Sequence, residues 1–338
     1  MAINASIVGA TGYTGQELID ILLGHPNVRL TGLYSTTDEP KAISSLLPRF
    51  AGRTDLICKK FNISEAIAKS EVVFLALPHT QAMDAVPALL KSGKLVIDLS
   101  ADYRFKDLKA YEKAYNLKHK DKTNISKAVY GLPELYRAKI KNAKLIANPG
   151  CYPTCAILAL APFVSTASIE LDHLIIDAKS GTSGAGKKAV QESLFSEVDE
   201  DFRAYKVNTH QHMPEINQEL AKLAGEKVEV TFVPHLLPLK RGILETIYLR
   251  TNKKLTSESV LSLYHKFYKS EPFVRIKDEG FPSIKDVSNT NFCDIGIKVF
   301  GKEIIVIAAI DNLLKGASGQ AVQNLNIMMD YPETVGLL

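Results

Sequence analysis

The 338-residue chain has no tryptophan and only four cysteines, Cys58, Cys151, Cys155 and Cys293. That is too few thiols for a disulfide scaffold. None stands in a CxxC pair or at a Cys/His metal spacing, so no metal is expected. Unpaired thiols suit a reducing compartment. An excess of one charge is also missing: 41 Lys and Arg against 37 Asp and Glu leave +4, too slight a bias to argue for nucleic acid as a partner. The longest apolar runs, 72–77 and 304–310, fall far short of the ~20 residues that span a bilayer. The start, MAINASIVGATG, lacks the basic flank and long apolar stretch of a signal peptide. A cytoplasmic protein with no membrane partner is therefore expected. A content of 46% hydrophobic and 23% charged residues is ordinary for a globular chain, and at about 150 residues per domain the length suggests two domains.

The first half alternates strand and helix patterns. Ile3–Val8 is a short apolar strand, and 16–23 carries Leu18, Ile21 and Leu22 at helical spacing before Gly24 and Pro26 stop it. A second strand covers 28–34. The run 72–77 is apolar throughout, as a parallel strand buried on both faces requires. A helix over 80–90, despite Pro87, and strands over 95–99 and 144–147 follow. Such alternation builds βαβ units on a parallel sheet. The second half has strands at 171–178, 228–234, 245–250, 291–300 and 303–310, with helices at 214–224, 257–269 and 319–329. It reads as α+β with a largely antiparallel sheet. The boundary falls near Asn148–Cys151, and the lysine-rich stretch 106–127 reads as a solvated surface segment.

Between the first strand and first helix lies Gly9-Ala10-Thr11-Gly12-Tyr13-Thr14-Gly15. Glycines there permit a tight turn and let a pyrophosphate approach the backbone N–H groups that open the helix. Alone they would serve a plain βα turn, but the flanking strand and helix favour nucleotide binding. In NAD-binding folds an acidic residue about 20 positions on takes the ribose hydroxyls. Here the second strand ends in Ser35-Thr36-Thr37, and Asp38 comes only three residues after Ser35. Hydroxyls without a carboxylate tolerate a 2′-phosphate, so NADP(H) is expected over NAD(H). His79, behind a buried strand, either contacts cofactor or caps its turn. The stretch from Gly181 to Lys187 satisfies GxxxxGK, yet Lys188 stands where a P-loop needs a hydroxyl for Mg²⁺. An ATPase is not expected, although the loop and its two lysines suit an anionic pocket.

Asn148-Pro149-Gly150-Cys151-Tyr152-Pro153-Thr154 is the most informative stretch. A strand ends at Ala147, Pro149 and Gly150 turn the chain, and 155–161 reads as helix with Pro153 suited to its first turn. Cys151 thus lies at or just before a helix N-terminus, where a thiol pKa of ~8.5 is lowered. That placement suits a reactive thiolate, against the usual fate of a small buried thiol, which Cys58, Cys155 and Cys293 fit. A thiolate nucleophile wants a base. His210 and His212, just before a helix, fall on one side of an extended segment by alternation. They also suit a metal, but no third ligand stands at a recognisable spacing. His235 is a third candidate base, or a packed side chain.

The chain resembles the N-acetyl-γ-glutamyl-phosphate reductases of arginine biosynthesis. The likeness rests on GATGYTG at 9–15, LPH at 77–79, DLSADYR at 98–104, YGLPEL at 130–135, NPGCYPT at 148–154, SGTSGAGKK at 180–188, HQHMPEI at 210–216, PHLLPLKRGIL at 234–244 and DNLLKGASGQAVQN at 311–324. The resemblance implies an NADP-binding Rossmann domain over 1–148 and an α+β catalytic and oligomerisation domain over 149–312. The latter is of the type seen in glyceraldehyde-3-phosphate and aspartate-semialdehyde dehydrogenases. A C-terminal helix within 313–338 then returns to the first domain. It also implies a homodimer or homotetramer.

Residue by residue, the resemblance marks Cys151 as nucleophile and His210 as acid/base. It places Gly9, Thr11, Gly12, Tyr13, Thr14 and Gly15 at the cofactor, Ser35 and Thr36 near its 2′-phosphate, and Pro78, His79, Ser180, Gly181 and Asn312 along it. Arg104, Asn148, Lys187, His212 and Arg241 are the expected contacts of the anionic substrate. Tyr103 stands where relatives commonly carry Phe, and Ser35–Thr37 lacks the arginine often found nearby. The implied reaction is NADPH-dependent reduction of N-acetyl-γ-glutamyl phosphate to the 5-semialdehyde through a Cys151 thioester. Its rivals are the same chemistry on a protected aminoadipyl phosphate or aspartyl phosphate, and, from another class, a non-catalytic nucleotide-binding regulator.

Overall fold

A computed structural model describes residues 2–36, 39–166, 168–188 and 191–338. Thr37 and Asp38, part of the cofactor-preference reading, lie outside the described residues. The chain divides into two compact units, one running to Pro149 and including Ala317–Leu338, the other Gly150–Gly316.

In the first unit, β1 (Ile3–Val8), β2 (Val28–Ser35), β3 (Lys41–Ala42), β4 (Ile57–Lys60), β5 (Val72–Leu75), β6 (Leu95–Asp98), β7 (Val129–Tyr130) and β8 (Leu145–Ala147) form one sheet among the described residues. Its order is β3-β4-β2-β1-β5-β6-β8-β7. All pairings are parallel except β3 with β4. β5 is buried along its whole length, as a strand covered on both faces must be. The chain fills one side of β1 with β2 and then crosses to β5 on the other, which creates a topological switch point at the ends of β1 and β5. The returning helix Gly319–Met328 contributes Ala321, Val322 and Leu325 to the apolar core of Ile7, Leu18, Phe74 and Ile97. Some of its buried amide groups are hydrogen-bonded. Asn324 donates to the Gly131 carbonyl (2.9 Å) and to Asn148 Oδ1 (3.1 Å).

Two expectations need correcting here. The stretch 106–127 is not merely solvated surface. It contains the helices Leu108–Tyr115 and Lys122–Ile125, and Phe105, Tyr111 and Met83 close a small apolar cluster. His119 is buried against Tyr103 and Tyr111, and the Tyr103 hydroxyl donates to Asp121 at 2.8 Å. Lys106 donates to the Ile125 and Ala128 carbonyls, and a few aromatics anchor the segment; the charge pattern alone hides both. The helix expected from residue 80 starts at Ala82 and ends at Lys91, because Thr80 adopts a left-handed φ of 79°.

Asp98, at the end of β6, is wholly buried and accepts the Ser100 amide and hydroxyl. Burial, and after it the neighbouring Asp102 carboxylate, push its pKa from 3.8 up to about 7. The folded state therefore holds this proton more tightly than the unfolded chain. The stabilisation is complete below about pH 4 and is lost as pH rises through about 7. We expect Asp98→Asn to lose less thermal stability than the native protein between about pH 5 and about pH 8, measured by calorimetry.

In the second unit, β9 (Ile175–Gly181), β10 (Arg203–Ala204), β11 (Thr231–Leu237), β12 (Ile243–Arg250), β13 (Val274–Lys277), β14 (Cys293–Phe300) and β15 (Glu303–Ile310) make a mixed sheet. Its order is β10-β11-β9-β12-β15-β14-β13. β9 with β11 and β13 with β14 are parallel, and the remaining pairs are antiparallel. β9 and β11 each begin three or four residues later than the apolar runs suggest. Leu174, Val228 and Val230 are buried outside the ladder, and the paired segments instead extend into Ser180-Gly181 and Leu236-Leu237. The helix Cys151–Val164 is buried from Tyr152 onward, an apolar-all-round pattern that marks a core helix.

Candidate active site

The glycine turn leaves β1 at Gly9 (φ 92°), and a side chain there would meet the Ala76 carbonyl at 2.1 Å. A side chain at Gly15 would meet the Gly9 carbonyl at 2.2 Å, whereas at Gly12 only the Gly9 oxygen lies within 4 Å, at 3.4 Å. Two glycines are thus fixed by backbone packing and the third keeps an open side. Gly12 caps the helix Tyr13–Leu23, whose first turn has neither a side-chain cap nor an acidic residue. Uncapped N–H groups beside an open glycine fit a dinucleotide pyrophosphate. Ser318 Oγ holds the Thr14 carbonyl at 2.8 Å.

At the end of β2, Ser35 is nearly buried and Thr36 exposed. Ser35 lies in register with Lys60 of β4. Strand pairing thus places a lysine opposite the end of β2, which the sequence around Ser35 could not reveal. Behind β5, His79 Nδ1 accepts the Ala101 amide at 3.1 Å, and its ring meets Tyr115 edge-on at 5.3 Å. Pro78 is exposed.

Two residues expected at the substrate are occupied inside the first unit. Arg104 is 4% exposed and donates to the carbonyls of Asn148 (2.7 Å) and Leu99 (2.9 Å). Asn148 is buried, donates to the Ala317 carbonyl (3.0 Å) and accepts from Asn324 at Oδ1. Both are engaged by backbone turns that need donors and acceptors.

In the second unit, Gly150 is the N-cap and Cys151 the first residue of the helix Cys151–Val164. Cys151 is partly accessible, whereas Cys58, Cys155 and Cys293 are buried. Burial, then Glu245, raises the Cys155 thiol well above its ordinary pKa, which keeps it protonated and inert. A side chain at Gly316 would come within 2.8 Å of Cys151 Cβ, so glycine is needed beside the thiol. The Gly150 amide donates to Glu215 Oε1 at 2.9 Å, and Glu215 is fully buried. This residue was missed in the sequence. Its signal was a glutamate on the apolar stripe of an amphipathic helix, flanked by Ile216 and one turn before Glu219 and Leu220, all buried.

His210 and His212 lie in a turn before the helix Met213–Ala224, not in an extended segment. The turn still brings their rings to 4.8 Å. The His212 amide donates to His210 Nδ1 at 3.0 Å, so the neutral ring carries its proton on Nε2. Tyr152, the residue after Cys151, meets His210 edge-on at 5.4 Å and His212 at 6.0 Å. Tyr205 meets His210 at 5.6 Å and hydrogen-bonds Tyr152 at 3.2 Å. Burial pushes the Tyr205 hydroxyl up to about 12; its hydrogen bond to Tyr152 opposes this rise, and the nearby Cys151 sulfur adds to it. The structure therefore gathers the thiol, both histidines and two tyrosines. The His235 ring lies 3.1 Å from Asp177, while its carbonyl accepts from the Tyr152 hydroxyl at 3.4 Å.

Ser180, Gly181 and Asn312 also converge. A side chain at Gly181 would strike the Arg241 nitrogen at 2.8 Å. Asn312 accepts the Gly242 amide at 2.7 Å and donates to Ser183 at 2.9 Å. Arg241 makes two hydrogen bonds to the buried Asp311, at 3.0 and 3.2 Å. Lys187 and Lys188 are exposed, and residues 182–185 form a 3₁₀ turn rather than the phosphate loop and helix of an ATPase. Among the described residues no cluster of metal-ligating side chains occurs, and no helix is long and apolar enough to cross a membrane.

A family model for the semialdehyde dehydrogenase NAD-binding domain matches residues 4–143, and one for the semialdehyde dehydrogenase dimerisation domain matches residues 151–312. The N-acetyl-gamma-glutamyl-phosphate reductase of Pelotomaculum thermopropionicum is 48% identical over 340 residues, covering 100% of this chain and 98% of the relative. That of Citrifermentans bemidjiense is 50% identical over 339 residues, covering 99% and 98%. Among solved structures, aspartate semialdehyde dehydrogenase II from Vibrio cholerae superposes with a TM-score of 0.74 at 16% identity, covering 98% of this chain and 99% of that one. The Candida albicans aspartate semialdehyde dehydrogenase with NADP gives 0.73 at 16%, covering 97% and 99%. At these identities the structures establish the fold.

Proposed function

This chain belongs to the N-acetyl-gamma-glutamyl-phosphate reductase family, and on that premise we propose that it reduces N-acetyl-γ-glutamyl phosphate to N-acetylglutamate 5-semialdehyde, releasing phosphate, in arginine biosynthesis. The observation that carries this reading is a partly accessible thiol opening a buried helix whose next residue, Tyr152, packs against a histidine of fixed tautomer. We assign NADP(H) binding to the unit ending at Pro149, with its returning segment, and the covalent chemistry to Gly150–Gly316.

Cys151 attacks the acyl carbon as a thiolate, its proton passing to solvent. The C–O bond to phosphate breaks and a thioester remains on sulfur. NADPH, when bound, would supply a hydride to the thioester carbon; the C–S bond then breaks, Cys151 leaves as thiolate and the aldehyde is released. The first-turn amides after Gly150 stabilise the thiolate and the oxyanion at the acyl carbon. Glu215 holds Gly150 so that those amides keep their direction. His210, expected as an acid/base, presents Nε2–H because Nδ1 is already taken by an amide. We give it the part of a hydrogen-bond donor to developing negative charge. His212 and Lys187 are assigned to the substrate's anionic groups, and Ser180, Gly181 and Asn312 to the cofactor edge of this unit. The reduced thiols that this chemistry needs suit the cytoplasm.

Self-association as a dimer or tetramer is supported by the exposed face of the second sheet. There Tyr248 is 38% and Phe300 57% exposed, beside the half-buried Ile305 and Ile307.

The assay that tests the reading is phosphate-dependent NADP reduction with N-acetylglutamate semialdehyde, run beside the protected aminoadipate and aspartate semialdehydes. Turnover of the first must exceed both others; faster turnover of either would move the chain to that substrate. For the cofactor, Ser35 and Lys60 are assigned to the 2′-phosphate. Ser35→Asp places a like charge there and should lower the NADP:NAD ratio of kcat/KM by about tenfold or more. Equal kcat/KM for both cofactors in the native enzyme would overturn the preference.

A further inference from the structure

The glycine turn has a second wall whose shape is imposed from elsewhere in the sequence. Gly9 abuts the Ala76 carbonyl, and the Ala76 amide donates to the Val8 carbonyl at 2.8 Å. The turn leaving β5, residues 76–82, therefore flanks the switch point where a dinucleotide lies in sheets of this order. That turn contains Thr80 in the left-handed region, at φ 79°, a conformation a threonine avoids without external restraint. The restraint is a single carboxylate. Asp102 Oδ1 accepts the Thr80 amide at 2.7 Å, and Oδ2 accepts the Ala82 amide, at the start of the next helix, at 3.0 Å. Between them the chain makes the bend that carries Pro78 and His79, and His79 is itself fixed by the Ala101 amide.

Asp102 is 1% exposed and held on every side. Its amide donates to Ser100 Oγ (3.2 Å), its Oδ1 accepts the Tyr111 hydroxyl (2.9 Å), and its carbonyl bonds the His119 ring (2.7 Å). The 106–127 segment thus braces the carboxylate, and the carboxylate braces the turn.

We propose that Asp102 is a positioning residue for cofactor binding, holding the 79–82 turn in the strained shape that forms one wall of the dinucleotide crevice. The proposal rests on the NADP(H) reading given above. An ordinary capping carboxylate would support the helix alone. This one also holds a left-handed threonine, and that second bond gives the proposal its test.

Asp102→Asn replaces one acceptor by a donor facing an amide, so the turn relaxes. NADPH affinity, read by fluorescence titration, should weaken by about tenfold or more. The KM for the acyl phosphate should stay within about twofold of the native value, as expected when only cofactor contacts are disturbed. In Thr80→Gly/Asp102→Asn, glycine reaches positive φ without restraint. NADPH affinity should recover at least about threefold relative to Asp102→Asn, and adding Asp102→Asn to Thr80→Gly should weaken binding by less than about threefold. A merely structural Asp102 would lower thermal stability in both Asp102 variants with no recovery of affinity from glycine. That result overturns the proposal, as does native affinity in folded Asp102→Asn. Should Asp102→Asn fail to fold, native-state hydrogen exchange decides. Slow exchange of the Thr80 and Ala82 amides supports the latch, and exchange as fast as in an open loop refutes it. If the native chain itself binds no NADPH, the cofactor reading fails rather than the latch.

Discussion

Cys151→Ser is expected to lower turnover by on the order of 10⁴-fold or more while leaving NADP(H) affinity unchanged. A serine hydroxyl at this position has no activating base, since His210 already spends Nδ1 on the His212 amide and presents a donor at Nε2. The cofactor groups assigned above around Gly9–Gly15 and Ser35 belong to the other unit, so calorimetric titration with NADPH should give the native stoichiometry and affinity. A loss of cofactor affinity as large as the loss of rate would remove Cys151 from the chemistry. The control is Cys155→Ala. That thiol is buried and held protonated, so its removal should affect packing by about 1 kcal/mol and leave kcat intact.

The second large effect is expected at His210, and the choice of replacement separates two mechanisms. Asparagine reaches the Nδ1 position and can still accept the His212 amide, but it has nothing at Nε2. Its kcat should fall by about 10²–10³-fold, the usual loss of one donor to developing charge. Glutamine carries an N–H to the Nε2 position, so His210→Gln should keep kcat within about tenfold of native. Alkylation of Cys151 near neutral pH should slow in the asparagine variant and not in the glutamine one. If both variants lose rate equally, His210 is the proton-transferring residue that the resemblance suggests and the fixed tautomer has been misread. His212→Asn should raise KM more than it lowers kcat, as for a contact made in ground and transition states alike.

Much of this was legible in the residues. The glycine turn follows from one short apolar strand and three glycines, because only a βα turn needs that punctuation. The helix start at Cys151 follows from Pro149-Gly150 before an apolar run, and it is observed at Cys151 itself. The carboxylates were not legible. Glu215 reaches Gly150 across 65 positions and Asp102 reaches Thr80 across 22, and a lone acidic residue carries no mark of the amide it will meet. The partners of the arginines were equally hidden: Arg104 donates to backbone carbonyls and Arg241 pairs with Asp311. Lys60 was overlooked because its closeness to Ser35 comes from strand pairing, 25 residues along the chain. The 106–127 segment was misjudged for a related reason. Its lysines dominate the pattern, while Tyr111 and His119 act through packing that no periodicity announces.

The central claim is a thioester on Cys151, and intact-protein mass spectrometry tests it directly. The native enzyme is mixed with N-acetyl-γ-glutamyl phosphate in the absence of NADPH, quenched in acid, and mapped by peptide. The account predicts one N-acetylglutamyl group per chain, on the peptide containing Cys151, discharged when NADPH is added before the quench. No adduct under these conditions, or an adduct that forms equally well in Cys151→Ser, would contradict it.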